Sequence, residues 1–328
     1  MSSSEGDTAQ ESSGAASTPI GTISTTTDDG ALVTSQLASW RGWAEIENDP
    51  VVFSTLLREW GVPNVQVNEV VPLDSVFEYS PQSIYGLIFL SRWVAPETEN
   101  HLTEPPAGVW FANQTLDNSC ATVALMNIVN NHATISLGQP LTDFRARTMN
   151  LTPMERGLAL DRFDHVRDIH NSFATEFDKM SVDFHLKGAM AAAEKKKRAA
   201  KAKRPRKKRK THDETGEEES GLHFVAYVPV GGVVWRMDGL ERLPRMLGTV
   251  DEGDSWIARV LPELQAQLES AATNSLEYSL LSLTALDDSS GLEVDKVKVE
   301  RAREDWGPFL AQMVRIHADK GTLKQALG

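Results

Sequence analysis

Cysteine is all but missing from this chain, which holds one among 328 residues, at position 120. A single thiol excludes a framework of internal disulfides, and with it the small stapled folds of secreted proteins. Long apolar runs are missing too. The longest, YGLIFLSRWV at 85–94, falls well short of the roughly 20 residues that cross a bilayer, so no membrane role is expected. The opening stretch, MSSSEGDTAQESSGAASTPIGTISTTTDDG, has neither the basic flank nor the apolar centre of a secretory signal. Together these absences predict an intracellular protein in a reducing compartment. Internal repeats are absent as well.

Positive charge is scarce except in one place. The net charge is −13, yet KKKRAAKAKRPRKKRK at 195–210 holds 12 of the 33 basic residues, leaving 21 basic against 46 acidic elsewhere, a balance of −25. A body this acidic repels nucleic acid and attracts basic protein surfaces. The basic run itself is a dense Lys/Arg cluster around Pro205 of the kind an importin reads, so nuclear as well as cytoplasmic localisation is expected. A nucleic-acid role for the run is disfavoured, because no aromatic residues are interleaved with its lysines as a stacking platform.

What is present reads as an α+β chain. Residues 1–38 are Ser-, Thr- and Gly-rich, bury too little surface to offset their ordering entropy, and are expected to form a disordered arm. Asp49 followed by Pro50 is a cap with a first-turn proline, and Val52, Leu56 and Leu57 repeat at helical spacing, predicting a short helix that ends near Gly61. VQVNEVVPL alternates like a half-buried strand, and IYGLIFLSRWV is a continuous apolar strand. From Thr122 to Val129 the residues are apolar nearly all round, which predicts a helix enclosed by the core. Further helices are expected over 143–149 and 161–177. A low-complexity insertion, basic and then acidic, follows at 187–221, and HFVAYVPVGGVVWRMDGL at 223–240 reads as a hairpin turning at Gly231-Gly232.

Cys120 stands where the enclosed helix begins, and a lone cysteine is most often a small buried hydrophobe. The hairpin supplies the competing reading. With a two-residue turn, Val230 faces Val233 and Val225 faces Asp238, so His223 and Asp238 lie on one face as diagonal neighbours, about 7–8 Å apart at the backbone. A carboxylate there fixes the ring's tautomer and stabilises its protonated form, as in a nucleophile–base–acid triad. A helix N-terminus and an adjacent imidazolium both favour thiolate, the attacking form. Gln114 precedes the helix on a polar loop, from which its amide N–H can join the Cys120 backbone N–H in binding an oxyanion. The other histidines, such as His132 and His170, lack a comparably placed acid.

FANQTLDNSCATVAL and HFVAYVPVGGVVWRMDGL resemble the glutamine–cysteine and histidine–aspartate signatures of the ubiquitin C-terminal hydrolases. Similarity continues through WAEIENDPVVFSTLLREWGV, GLIFLSRWV, HNSF and DSWIARVLPELQAQLE, covering residues 41 to about 287. The resemblance implies a papain-like fold with a central antiparallel sheet flanked by helices in a catalytic domain at 39–288, and a C-terminal helical extension at 289–328. It implies a cysteine-type deubiquitinase without metal or organic cofactor, in which Cys120 is the nucleophile, His223 the base and acid, Asp238 its orienting carboxylate and Gln114 the oxyanion donor. Ubiquitin is the expected partner, and the extension resembles those that bind proteasomal or chromatin-complex proteins. Where family members often carry Glu and Leu before the acid, this chain has Arg236 and Met237, which are expected to flank the site rather than form it. The insertion falls where the family carries a loop over the active site that limits leaving-group size. The alternative is a partner-activated ubiquitin-binding scaffold with a misaligned triad.

Overall fold

The computed structural model describes residues 40–73, 75, 83–92, 102–175, 178–179, 182, 222–251, 253–273, 277–286 and 292–304, with scattered positions from 309 to 318. The expected arm at 1–38, the insertion at 187–221 with its basic run, and most of the extension past 304 lie outside the described residues.

Helix α1, Pro50–Glu59, starts as its sequence dictates: the Asp49 carboxylate accepts from the Val51 N–H at 2.6 Å and Pro50 opens the first turn. Strands β1 (Val65–Glu69) and β2 (Ile84–Arg92) follow, then helix α2, Cys120–Val129. Every residue of α2 from Ala121 to Val129 is buried, so the all-round apolar pattern does mark a helix inside the core.

The next region departs from the expected helices. Helix α3 begins at Gln139 rather than 143, with Pro140 in its first turn. The stretch 161–177 is not one helix: α4 spans Pro153–Asp161 and α5 spans Asp164–Asn171, with a break at Phe163. The signal for α4 lies in T-P-M-E at 152–155, a capping box with proline at the first helical position, where Thr152 and Glu155 satisfy each other's backbone N–H groups.

Strands β3 (Leu222–Val230) and β4 (Val233–Met237) form the hairpin, with Val230 opposite Val233 and Ala226 opposite Met237, the register read from the sequence. Gly231 and Gly232 both have positive φ, 60° and 77°, which the twist of a two-residue hairpin turn requires. Strand β5 (Arg245–Thr249), helix α6 (Ile257–Thr273), strand β6 (Tyr278–Ala285) and helix α7 (Leu292–Ala302) complete the described elements.

The strands form one six-stranded sheet in the order β1-β6-β2-β3-β4-β5, and every neighbouring pair is antiparallel. Its centre is covered on both faces. Ile88, Leu90, Phe224, Ala226 and Val228 point into a core shared with α1 and α2. Leu87, Phe89, Val225 and Tyr227 alternate with them into a second core beneath Ile257, Val260 and Leu264 of α6. Burial on both sides is why β2 and β3 read as unbroken apolar runs rather than alternating ones. The architecture is the expected antiparallel sheet flanked by helices, with α2 enclosed against β2 and β3.

Candidate active site

The first turn of α2 has no capping side chain: Ser119 at the N-cap turns its hydroxyl back to the Leu116 carbonyl at 2.7 Å. No acidic residue lies in that turn either. Backbone N–H groups at such an end have no intrahelical acceptor, so the Cys120 N–H is available to an anion. The chain reaches this point through Asn118, whose φ of 62° reverses the backbone just before the helix, and whose side-chain amide donates to the Trp43 carbonyl at 3.3 Å.

Cys120 is half-buried and lies close enough to the His223 ring for its sulfur to raise the ring's pKa. On the opposite side of that ring, Nε2 lies 2.7 Å from Asp238 Oδ1. With Nε2 engaged there, Nδ1 is the nitrogen left to face the sulfur. Cys120, His223 and Asp238 come from the start of α2, the second position of β3 and the residue after β4. His223 and Asp238 are both buried, and Asp238 Oδ1 also accepts the Leu240 N–H at 3.0 Å.

Electrostatics follow from these contacts. Burial pushes the His223 imidazole down, but hydrogen bonds and charge from Asp238 and Cys120 overcome it and raise the group from 6.5 to about 9. For Asp238, burial opposes ionisation, while His223, Arg236 and the Leu240 N–H hold the carboxyl below its ordinary value. The ring is therefore an imidazolium at neutral pH, with a carboxylate behind it and a sulfur in front.

Gln114 is brought to the same place by Gly239. The Gly239 carbonyl accepts the Gln114 N–H at 2.8 Å and the Asn113 side-chain amide at 3.2 Å. A Cβ on Gly239 would lie 3.0 Å from Val123 and 3.1 Å from Gln114, so the loop after Asp238 packs closely against both α2 and the Gln114 segment and a larger residue would press on them. The Gln114 carboxamide donates to the Leu116 carbonyl at 3.1 Å, which uses one of its two N–H bonds, and its oxygen is buried and accepts from no donor among the described residues. A cavity of about 470 Å³ opens beside it, lined by Asn113, Gln114, Pro153, Met154, Leu240 and Leu243 among others.

Arg236 corrects one sequence expectation. It does not merely flank the site: its Nη2 lies 3.1 Å from Asp238 Oδ2, and it also pairs with Glu241 and, at 3.1 Å, with Glu263 of α6. Two other described histidines, His170 and His132, serve packing. His170 is fully buried between Thr122 Oγ1 at 2.7 Å and the Ala44 carbonyl at 2.8 Å, and burial pushes it down to about 4, so it stays neutral. His132 packs against Tyr85 and burial likewise pushes it down. Among the described residues no cluster of His, Cys, Asp and Glu is arranged to hold a metal.

The pattern of ubiquitin carboxyl-terminal hydrolase, family 1, matches residues 43–269. The chain is 26% identical to ubiquitin carboxyl-terminal hydrolase ubh-4 of Caenorhabditis elegans, covering 86% of this chain and 89% of that protein. It is 29% identical to isozyme L5 of Dictyostelium discoideum over 74% of this chain and 62% of that one, and 30% identical to calypso of Aedes aegypti over 66% and 42%. It therefore spans less than two thirds of the length of these last two. Among solved structures, the Trichinella spiralis UCH37 catalytic domain bound to ubiquitin vinyl methyl ester is similar at a TM-score of 0.57 and 27% identity, covering 77% of this chain and all of that one.

Proposed function

The chain belongs to ubiquitin carboxyl-terminal hydrolase family 1, a family of cysteine peptidases, and from that premise we propose that it cleaves the bond after the terminal glycine of ubiquitin with Cys120, His223, Asp238 and Gln114. The observation that carries this reading is the His223 ring held between Asp238 on one side and Cys120 on the other.

The Cys120 thiolate attacks the glycine carbonyl carbon. A carbon–sulfur bond forms, and the π electrons move to oxygen, which accepts from the Cys120 backbone N–H and the second N–H of Gln114. As the intermediate collapses, the carbon–nitrogen bond breaks and the His223 imidazolium gives its proton to the leaving amine. Neutral His223 then takes a proton from water, whose oxygen attacks the thioester. The carbon–sulfur bond breaks, thiolate and imidazolium are restored, and ubiquitin leaves as the carboxylic acid, which gives its remaining proton to solvent and becomes the carboxylate. Asp238 keeps Nε2 as a donor throughout, so that Nδ1 faces the reaction.

Reaction of the full chain with ubiquitin carrying a C-terminal electrophile tests this. Prompt labelling of the isolated protein is expected, none for Cys120→Ala, and at least about a 10⁴-fold loss of amide hydrolysis in that variant with the melting temperature maintained. Labelling that occurs only after a partner is added would instead support the partner-activated scaffold. We propose further that the C-terminal extension receives such a partner, from a proteasomal or chromatin complex, and that residues 195–210 direct nuclear import. A reporter fused to 190–212 that stays cytoplasmic would overturn the second point.

A further inference from the structure

We infer that Arg236 is a positioning residue for the chemistry proposed above, fixing the plane of the Asp238 carboxylate and tying that alignment to helix α6. The inference rests on the catalytic reading of Cys120, His223 and Asp238 and concerns how their geometry is held.

Asp238 Oδ1 is occupied by His223 Nε2 at 2.7 Å and the Leu240 N–H at 3.0 Å. Both contacts fall on one oxygen, so alone they leave the carboxylate able to rotate about its Cβ–Cγ bond. The Arg236 guanidinium takes Oδ2 at 3.1 Å and removes that freedom. A carboxylate held through both oxygens presents Oδ1 to the ring in one direction only, and the ring in turn presents Nδ1 to the sulfur in one direction.

Arg236 is itself over-determined. Its side chain is 11% exposed, and its remaining nitrogens meet Glu241 and, at 3.1 Å, Glu263. Glu263 accepts from Tyr227 Oη and from Gln267 Nε2, both at 3.1 Å. Tyr227 lies on β3, the strand that carries His223, and its hydroxyl stays protonated because burial and Glu263 both raise it. From β5, Arg245 reaches Glu241 at 3.1 Å. Among the described residues the charged groups that meet here are Asp238, Glu241 and Glu263 with Arg236 and Arg245, and the His223–Cys120 pair lies beyond Asp238.

Removing Arg236 takes away the one guanidinium that, among the described residues, meets Asp238, Glu241 and Glu263 together. The effect on pH dependence has a definite sign. Asp238 must be ionised to orient the ring, so activity is present above its pKa and is lost as pH falls through it; Arg236 is one of the groups that keep that pKa low. Without Arg236 the acid limb of the rate profile moves to higher pH. Since the guanidinium meets Asp238 through Oδ2, the oxygen not bonded to His223, its loss is expected in kcat rather than in KM.

The test is steady-state hydrolysis of a ubiquitin C-terminal amide by the full chain across pH, for wild type, Arg236→Met and Arg236→Lys. For Arg236→Met we expect kcat to fall about 10- to 100-fold at KM within about twofold, with the acid limb about one pH unit higher. Arg236→Lys keeps the charge but not the three-way fork, so it should restore the acid limb while kcat remains at least about 5-fold low. Should Arg236→Met fail to fold, Arg236→Lys alone decides, and wild-type kcat in that variant overturns the inference. An unmoved acid limb in folded Arg236→Met, or a change confined to KM, also overturns it while the catalytic reading stands. A wild-type chain that hydrolyses nothing overturns both.

Discussion

At His223 two opposing influences meet: burial disfavours the charged ring, while the carboxylate and sulfur on its two sides favour it, and the ring titrates at about 9 instead of 6.5. Amide hydrolysis is therefore expected to decline as pH rises through about 9, where the proton for the leaving amine is lost. Stability carries the same sign, because a group raised on folding stabilises fully below its unfolded value of 6.5 and ceases to do so as pH climbs past about 9. Asp238→Asn removes the strongest influence holding the ring's pKa up while burial remains. The alkaline limb should then move to lower pH, with a loss of roughly 10²- to 10⁴-fold in kcat. Rate profiles of the two proteins side by side check this, and coincident alkaline limbs would refute it. Residue identities alone disclosed this pairing, because a two-residue turn fixes the register of the strands flanking it. Arg236 stayed hidden because its part in the site shows only once Glu263 of α6 joins Asp238 and Glu241 around it, and no local spacing relates β4 to α6.

Among elements, helix α4 is pressed against the segment that leads into Gln114. A Cβ built on Gly157 would lie 2.2 Å from the Asn113 carbonyl oxygen and 2.9 Å from the Thr115 side chain, closer than any real contact. The neighbouring Arg156, buried, donates to the carbonyls of Val109 and Phe111, each at 3.2 Å, and of Thr148 at 3.0 Å, fastening the same segment. Gly157→Ala should therefore displace residues 113–115 and destabilise the fold by about 1–3 kcal/mol, with kcat falling because Gln114 moves. Denaturant midpoints and kcat measured on one preparation test this; a variant as stable and active as wild type would show that α4 can back away without consequence. These contacts also mark where legibility ended. Helices and strands with strong local signals, α1, α2, β2 and the β3–β4 hairpin, were readable. Strand β5, Arg-Met-Leu-Gly-Thr, has no buried residue and no alternation to read, and α4 announces itself by its cap rather than by an apolar stripe.

For the molecule as a whole, the insertion at 187–221 ends immediately before β3, whose second residue is His223. We propose that this length of chain leaves room for a folded protein as leaving group. Deleting 187–220 should leave hydrolysis of a small ubiquitin adduct largely intact while lowering cleavage of ubiquitin chains; equal rates on chains before and after deletion would refute it. The sheet order adds a constraint of another kind. Among the described strands β6 alone pairs with both β1 and β2, although it follows them far along the chain. While the ribosome is still making residues before 278, the two earliest strands have no common partner, and the sheet stays split. Cys120 on α2 and His223 on β3 both pack against β2, on the same side of that split, so what waits for β6 is the joining of β1, with α1 beside it, and not the meeting of thiol and imidazole.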